Sequence, residues 1–569
     1  MGFTPIFILK NVMKFNTILI ILFSIISTNI LFAQENKNYF THQDTLRGSI
    51  GKGRLKWNVL KYEITVQPDY NNKTISGKNK ITLMDSGITV MQIDLQTPMI
   101  LDSVVSDNLT YSFEREENVY WIKINTETKY FPVKRNFVFY FHGKPQEAIN
   151  APWDGGWIWK RDKNGNPWMS VACQGLGASV WFPCKDTQED EPDEGAVLNI
   201  IIPDSLTAIG NGRLISQNKL NNQFIQYSWS VTSPINNYNI VPYIGKYTHF
   251  SENYLGLKGN LNLDYWVLDY NLIKAKKQFN DVKKMMTAFE YWFGQYPFYE
   301  DGYKLVEAPH LGMEHQSAVA YGNKFMNGYL GTDLSNSGWG LKWDFIIVHE
   351  SGHEWFGNNI TAKDVADMWI HEGFTNYSET LFTEYYYGKN AANEYVQGLR
   401  NRITNEKNII GPYGVNKEGC NDMYDKGGNL IHTIRQIIND DDKFRKILNG
   451  LNQNFHHAVV TSLQVENFIS LKSGIDLSSI FNQYLRTTKI PKLEYYFTKN
   501  KLFYHWINTI SNFKMPVKIK LGNEPTEIWL YAENSWKSMP MKKSNKIKKL
   551  KVDLNFYIES NEKINRMVN

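Results

Sequence analysis

Residues His349-Glu350-Ser351-Gly352-His353 place two imidazoles four positions apart with a carboxylate between them. On a helix, positions four apart share a face, so both imidazoles can reach one metal ion. Glu350 lies one residue round, where its carboxylate can touch water at the metal without itself being a ligand. A catalytic zinc needs a third protein ligand and an open fourth position. Eighteen intervening residues after His353 comes Glu372, in the run Trp369-Ile370-His371-Glu372-Gly373-Phe374-Thr375-Asn376-Tyr377-Ser378-Glu379. That helical pattern continues through Leu381, Phe382 and Tyr385. Glu372 and Glu379 are two turns apart on one face, so Glu372 can bind metal while Glu379 accepts a proton from a ligating imidazole. His371 is expected to point off that face and receives no metal role. One zinc ion per chain held by His349, His353 and Glu372 lowers the pKa of bound water towards ~7. Glu350 is placed to take its proton as the water attacks a carbonyl. The resulting oxyanion requires a further stabiliser besides the metal.

The elements that must hold these residues follow from the hydrophobic periods. With 569 residues the chain is too long for one ordinary core. From about Leu55 to Tyr247 the pattern alternates with period two, as in Tyr62-Ile64-Val66 and Phe137-Phe139-Phe141. Asp69-Tyr70-Asn71-Asn72 and Ser106-Asp107-Asn108 read as turns, Asn253 to Gly259 as a turn-rich junction, and Leu261-Leu263-Tyr265-Val267 as another strand. Ala275, Phe279, Val282, Met286 and Phe289 then take helical spacing up to Gly294 and Pro297, and helical patterns dominate from Lys342 to about Leu485. After Pro491 short strands return, such as Val517-Ile519-Leu521 and Ile528-Leu530. The expected organisation is multidomain α+β: a leader over 1–33, an all-β domain over 34–250, a mainly helical zinc domain over 251–490, and a small β domain over 491–569.

The zinc pattern and its surroundings give the chain a family resemblance. HExxH followed by eighteen residues and Glu is the pattern of the gluzincin aminopeptidases, and the chain resembles the aminopeptidase N family, which also includes leukotriene hydrolase. The family signature Gly-x-Met-Glu-Asn is matched by Leu311-Gly312-Met313-Glu314-His315, with Leu311 in place of the family's first Gly and His315 in place of its Asn. The resemblance implies that Glu314 holds the substrate's free α-amine while the Gly312-Met313 backbone supports the peptide as an added strand. One fixed carboxylate beside the metal would admit a charged amine and reject an internal peptide. The family's transition-state Tyr falls on Tyr424 of Tyr424-Asp425-Lys426-Gly427, whose phenol would donate to the oxyanion. Ala172-Cys173-Gln174 resembles the family's substrate-facing loop, with Gln174 at a second amine-holding position. The implied fold is a saddle-like β domain, a thermolysin-like zinc domain and a small C-terminal β-sandwich. The larger members end in a helical domain that caps the site; about 75 residues follow the catalytic region here, which implies an unusually open site.

Composition narrows the partners. Lys10 and Lys14 precede an apolar stretch from Ile18 to Phe32 that Ala33 ends, which reads as an export signal and implies a periplasmic or extracellular protein. The alternative is an uncleaved anchor, although the apolar run is shorter than the ~20 residues a span needs. A formal charge of +5, which falls to +3 when those two lysines are removed, is too weak to argue for nucleic acid. The lysine-rich run from Lys537 to Lys551 and the acidic Glu189-Asp190-Glu191-Pro192-Asp193-Glu194 both read as solvated surface. Cys173, Cys184 and Cys420 allow one disulfide at most and read as buried free thiols. The expected function is removal of N-terminal residues from peptides. Rivals are a non-catalytic peptide-binding paralogue, a thermolysin-like endopeptidase, and an epoxide hydrolase suggested by Gln174 alone.

Overall fold

In the computed structural model, residues 40–124, 130–522, 524–541 and 549–563 are described; the leader expected over 1–33 and part of the lysine-rich run lie outside them. The N-terminal unit is built on the hairpin Trp57–Asp69 and Thr74–Asp85. Asp69 Oδ1 accepts from the amides of Asn71 and Asn72, which closes the turn between the two strands. This hairpin centres an eight-stranded sheet whose other members include Val133–Gly143 and, in parallel, Ala196–Pro203. The alternation is realised as burial. Tyr62, Ile64 and Val66 face the core with Phe137, Phe139 and Phe141. A four-stranded sheet containing Gly156–Arg161 and Pro167–Ala172 packs against it and carries the loop of Gln174 towards the second unit.

A five-stranded sheet opens the catalytic unit, in the order Tyr247–Gly256, Gly259–Leu268, Tyr303–Glu307, Val319–Tyr321, Gly312–Met313. The stretch read as a turn-rich junction is thus strand as far as Gly256, and only Leu257-Lys258 turn. Cross-strand pairing along ten positions outweighs the turn-forming residues there. The helical spacing across Phe279 resolves into two helices, α1 (Leu272–Gln278) and α2 (Asn280–Phe293). After them come α3 (Phe345–Gly352), α4 (Trp369–Tyr387), α5 (Lys389–Leu399) and α6 (Asp422–Ile438). One apolar core joins these helices to the five-stranded sheet and to the C-terminal strands. The C-terminal unit stacks a four-stranded and a three-stranded sheet, burying Leu493, Leu502, Trp506, Val517 and Ile519 between them.

The acidic run 189–194 corrects its reading as solvated surface. Asp190 and Glu191 are buried where the two units meet. Asp190 lies 3.5 Å from Lys185 Nζ, and Glu191 Oε1 accepts from the Thr361 hydroxyl of the catalytic unit at 2.7 Å. Burial pushes the Glu191 carboxyl up to about 7. Cys173 and Cys184 are buried free thiols, and Cys420 is a partly exposed one. No helix among the described residues is long and apolar enough to cross a membrane.

Candidate active site

Helix α3 begins at Asp344, whose carboxylate caps it by accepting from the amides of Ile346 and Ile347. It ends at Gly352, but His353 keeps helical angles (φ −63°, ψ −20°), so the two imidazoles stay on one face. The chain then turns sharply through Gly357 at φ 131°, where a Cβ would come within 3.2 Å of His353 Nδ1 and 3.3 Å of His371 Nδ1. That left-handed position next to two imidazole rings calls for glycine.

Both ligand-type histidines have one ring nitrogen already engaged. His349 Nδ1 lies 2.7 Å from Glu379 Oε1, and the Tyr395 hydroxyl donates to the other Glu379 oxygen at 2.6 Å. His353 Nδ1 donates to the Phe356 carbonyl at 3.1 Å. Each Nε2 is left with its lone pair facing the site. Glu372 Oε2 is 3.8 Å from His349 Nε2 and 3.4 Å from His353 Nε2. It is buried and makes no well-formed hydrogen bond. Ligands about 2 Å from a tetrahedral ion lie about 3.3 Å from one another, so this donor set fits an ion such as zinc. His371 Nε2 accepts from the Ala362 amide at 2.8 Å, outside the donor set.

Glu350, Glu314 and His353 form a second convergent group, with one donor atom of each within 4.8 Å of the others. Burial pushes the Glu350 carboxyl up to about 7; His349 pulls it down, and the charge of Glu314 adds to the rise. A carboxylate poised near neutrality suits a general base. Gly312 abuts Glu350 so closely that a Cβ there would lie 2.6 Å from Glu350 Oε1. The strand Gly312–Met313 ends the five-stranded sheet and pairs with Val319–Tyr321 on its inner side alone, so its free edge lines the cavity.

Glu314 is buried, and its Oε1 accepts from Gln174 Nε2 at 2.5 Å and from the Tyr238 hydroxyl at 3.0 Å. Gln174 and Tyr238 both come from the N-terminal unit. Asn358 fixes the Glu314 carbonyl at 2.8 Å. His315, in place of the family's Asn, is fully buried with its Nδ1 2.6 Å from the Tyr243 hydroxyl, so it braces the strand and does not line the cavity.

Tyr424 lies in the first turn of α6 with its ring stacked over His349 at 6.1 Å. Helices α4 and α6 approach until Gly373 and Gly427 touch; a Cβ on Gly427 would fall 2.9 Å from the Gly373 Cα. The small residue three positions after Tyr424 therefore lets the first turn of α6 lie close against α4, the helix that carries Glu372. Burial first, then the charges of Glu372, Glu314, Glu418 and Glu350, hold that phenol well above 10 and so protonated.

His349, Glu350, His353, Glu372, Glu314 and Tyr424 line one cavity of about 890 Å3. The implied openness is corrected at its floor, where His349, His353 and Glu372 are at most 7% exposed. The loop Pro152-Trp153-Asp154 and the segment before α6 form further walls of the cavity. Sequence reasoning missed Tyr238, Glu418, Tyr329 and Arg402, all single residues in unremarkable local contexts.

Residues 277–484 match the Peptidase family M1 domain and residues 58–238 the Peptidase M1 N-terminal domain. The chain is 21% identical to a probable aminopeptidase 1 of Sulfurisphaera tokodaii over 88% of its own length and 62% of the relative's. It is 24% identical to aminopeptidase B of Rattus norvegicus over 57% and 50%. It thus spans at most 62% of the length of these relatives. An M1 zinc metallopeptidase from Deinococcus radiodurans, solved with a Tyr-Ser-Ala substrate, superposes with a TM-score of 0.64 at 15% identity, covering 76% of this chain and 95% of that one. The fold, the two matched domains and the donor geometry agree, and the chain belongs to peptidase family M1.

Proposed function

We propose that the protein is a zinc aminopeptidase that removes N-terminal residues from peptides. The observation that carries this reading is the buried Glu314 carboxylate, within 4.8 Å of Glu350 and His353 and clamped by Gln174 and Tyr238. A fixed anion beside the base gives the site a reason to demand a free α-amine, which a neutral N-acetyl group cannot satisfy.

His349, His353 and Glu372 would hold the ion, with Glu379 orienting His349. Zinc, when bound, supplies a Lewis acid that polarises the scissile carbonyl and acidifies water. The peptide lies along the free edge of Gly312–Met313 with its amine on Glu314. Glu350 accepts a proton from the attacking water and returns it to the departing amine, a shuttle that its raised pKa favours. The Tyr424 phenol, held protonated, donates to the developing oxyanion. The N-terminal segment supports export, which cell fractionation of the full chain tests.

The decisive experiment measures aminoacyl-coumarin and peptide turnover with and without a zinc chelator, and on N-acetylated counterparts. Chelator-sensitive turnover confined to free amines is expected. Equal activity on N-acetyl peptides refutes the exopeptidase reading in favour of an endopeptidase. Inactivity across the panel with zinc bound favours a peptide-binding role.

A further inference from the structure

Charge is distributed unevenly along this chain. Residues 491–569 hold fifteen Lys and Arg against seven Asp and Glu, a formal +8, whereas the whole chain carries +5. The C-terminal unit is thus a basic body on a remainder of −3, and its field draws anions. A cavity of about 570 Å3 opens on this unit where it meets the catalytic unit. None of the residues that line the active-site cavity lines this one.

Three cations belong to its wall. Lys520 and Lys551 stand directly opposite each other in the pairing of Lys514–Leu521 with Leu550–Val552. Like charges opposed on one face of a sheet destabilise it unless an anion comes between them. Glu527 lies 3.5 Å from Lys520 but also 3.9 Å from Lys518, and Lys551 has no ion pair among the described residues. Arg400, in the 3-10 turn Arg400–Arg402 after α5, forms the catalytic unit's side. Its Nε donates to Asn429 Oδ1 at 2.6 Å and its Nη1 to the Leu554 carbonyl, whereas its Nη2 is buried without a partner among the described residues. The buried Arg54 and Arg435 each hold a carboxylate at 2.6 Å, but none pairs with Arg400 among the described residues. Burial accordingly brings the Arg400 guanidinium down to about 10. Asp553, the other carboxylate of the lining, accepts from the Asn555 amide at 2.9 Å.

Much of the remaining lining is apolar. Leu550–Val552 and Glu559–Glu562 are outer strands of the two C-terminal sheets, and the segment joining them borders the cavity. Val552 and Ile558 are half-buried there, and Leu554 is 68% exposed, a large apolar side chain without cover. A wall that combines three cations with accessible apolar groups suits neither a bare inorganic anion nor a plain hydrocarbon.

We propose that this cavity binds an anionic amphiphile, with a carboxylate or phosphate head held by Lys520 and Lys551 in the field of Arg400 and a medium-length apolar tail over Val552, Leu554 and Ile558. The head supplies the counter-charge that these cations lack. The tail adds affinity with length, by up to about fourfold for each methylene buried. Because Arg400 belongs to the catalytic unit and the lysines to the C-terminal unit, an occupant bridges the two and stabilises their docking. None of this depends on the reaction catalysed in the other cavity.

The test titrates the zinc-loaded full-length protein calorimetrically with butyrate, hexanoate and octanoate, all below micelle-forming concentrations, and with 1-octanol. Expected is one site per chain, an affinity that rises several-fold with each two carbons, and a melting temperature that rises with occupancy. Octanol, the same tail without the charge, should bind at least tenfold more weakly than octanoate. The double variant Lys520→Ala, Lys551→Ala alters exposed side chains, so it should fold with a wild-type melting temperature and lose at least tenfold in octanoate affinity. Leu554→Ser should flatten the dependence on tail length. Absence of octanoate binding to wild type overturns the proposal, as does octanol binding as tight as octanoate or affinity that the lysine variant leaves intact. Binding that disappears when zinc is chelated places octanoate in the active site and overturns it too. Affinity that depends on the head but not on the tail means general attraction to a basic unit, and the amphiphile falls with it.

Discussion

The floor of the cavity, with its metal-type donors, and the wall proposed to hold the amine meet at Glu350 but are built in different ways. The floor takes His349, His353 and Glu372 from two neighbouring helices of one unit, with Glu379 on the same helix as Glu372. The wall joins Glu314 of the catalytic unit to Gln174 and Tyr238 of the N-terminal unit, 140 and 76 residues away in sequence. The floor's geometry follows from helix spacing and survives any shift between units. The wall exists only while the units are docked. In the proposed function, the chemistry thus depends on local structure and the recognition of the peptide's amine on the interface.

The sharpest test of this division is at the floor. Glu350→Gln should lower kcat by about 10²–10⁴-fold while leaving one zinc per chain by metal analysis; wild-type turnover in that variant sinks the assignment of the base. Tyr424→Phe removes one oxyanion donor and should cost about 10²–10³ in kcat with little change in KM. A change confined to KM places the phenol in ground-state binding instead.

At the wall the expected effects are smaller and fall on selectivity. Glu314→Ala removes a charge-assisted contact of roughly 1.5–3 kcal/mol, or about 10–100-fold in kcat/KM for free-amine substrates. It should also shrink the preference over N-acetyl peptides by a similar factor, and an unchanged preference means that the amine is read elsewhere. Tyr238→Phe keeps the ring and loses a single hydrogen bond, about 1 kcal/mol, giving a several-fold rise in KM that steady-state kinetics resolves.

The least effect is expected on the docking itself. Glu191 has its carboxyl raised from 4.5 to about 7 by burial, so between those values the folded protein binds more protons than the unfolded chain. Its contribution to stability is full below about pH 4.5 and is lost as pH rises through 7. Glu191→Gln cannot ionise, so its melting temperature minus that of wild type should grow by a few degrees between pH 5 and pH 8. A difference that is flat with pH means that the Glu191 carboxyl titrates alike in the folded and unfolded chain, so that burial does not raise it.

Much of the site is legible in the sequence because its signals are short-ranged. The spacing of His349 and His353 and the two-turn separation of Glu372 and Glu379 are consequences of helix geometry, and a helix keeps them wherever it packs. Alternation at Tyr62-Ile64-Val66 likewise states which face a strand buries. The reading failed where sequence is locally polar and the fold is not. Glu189 to Glu194 has the composition of a surface loop, but docking the two units encloses Asp190 and Glu191 beside Lys185 and Thr361. Ten cross-strand pairs likewise override the turn-rich composition of Asn253 to Gly259.

The sequence by itself singled out the candidate donors and the candidate base and pointed to the family, since their relative placement is set within a few residues or by a motif. Only the tertiary structure decided that Tyr238 holds the Glu314 carboxylate, that Glu418 and Arg402 line the cavity, and that His315 braces the strand from behind. The reason is physical: a lone Tyr, Glu, Arg or His has no local code for its partner. Its role is set by which distant element the packing of Gly373 on Gly427, or of one unit on the other, brings within a few ångströms.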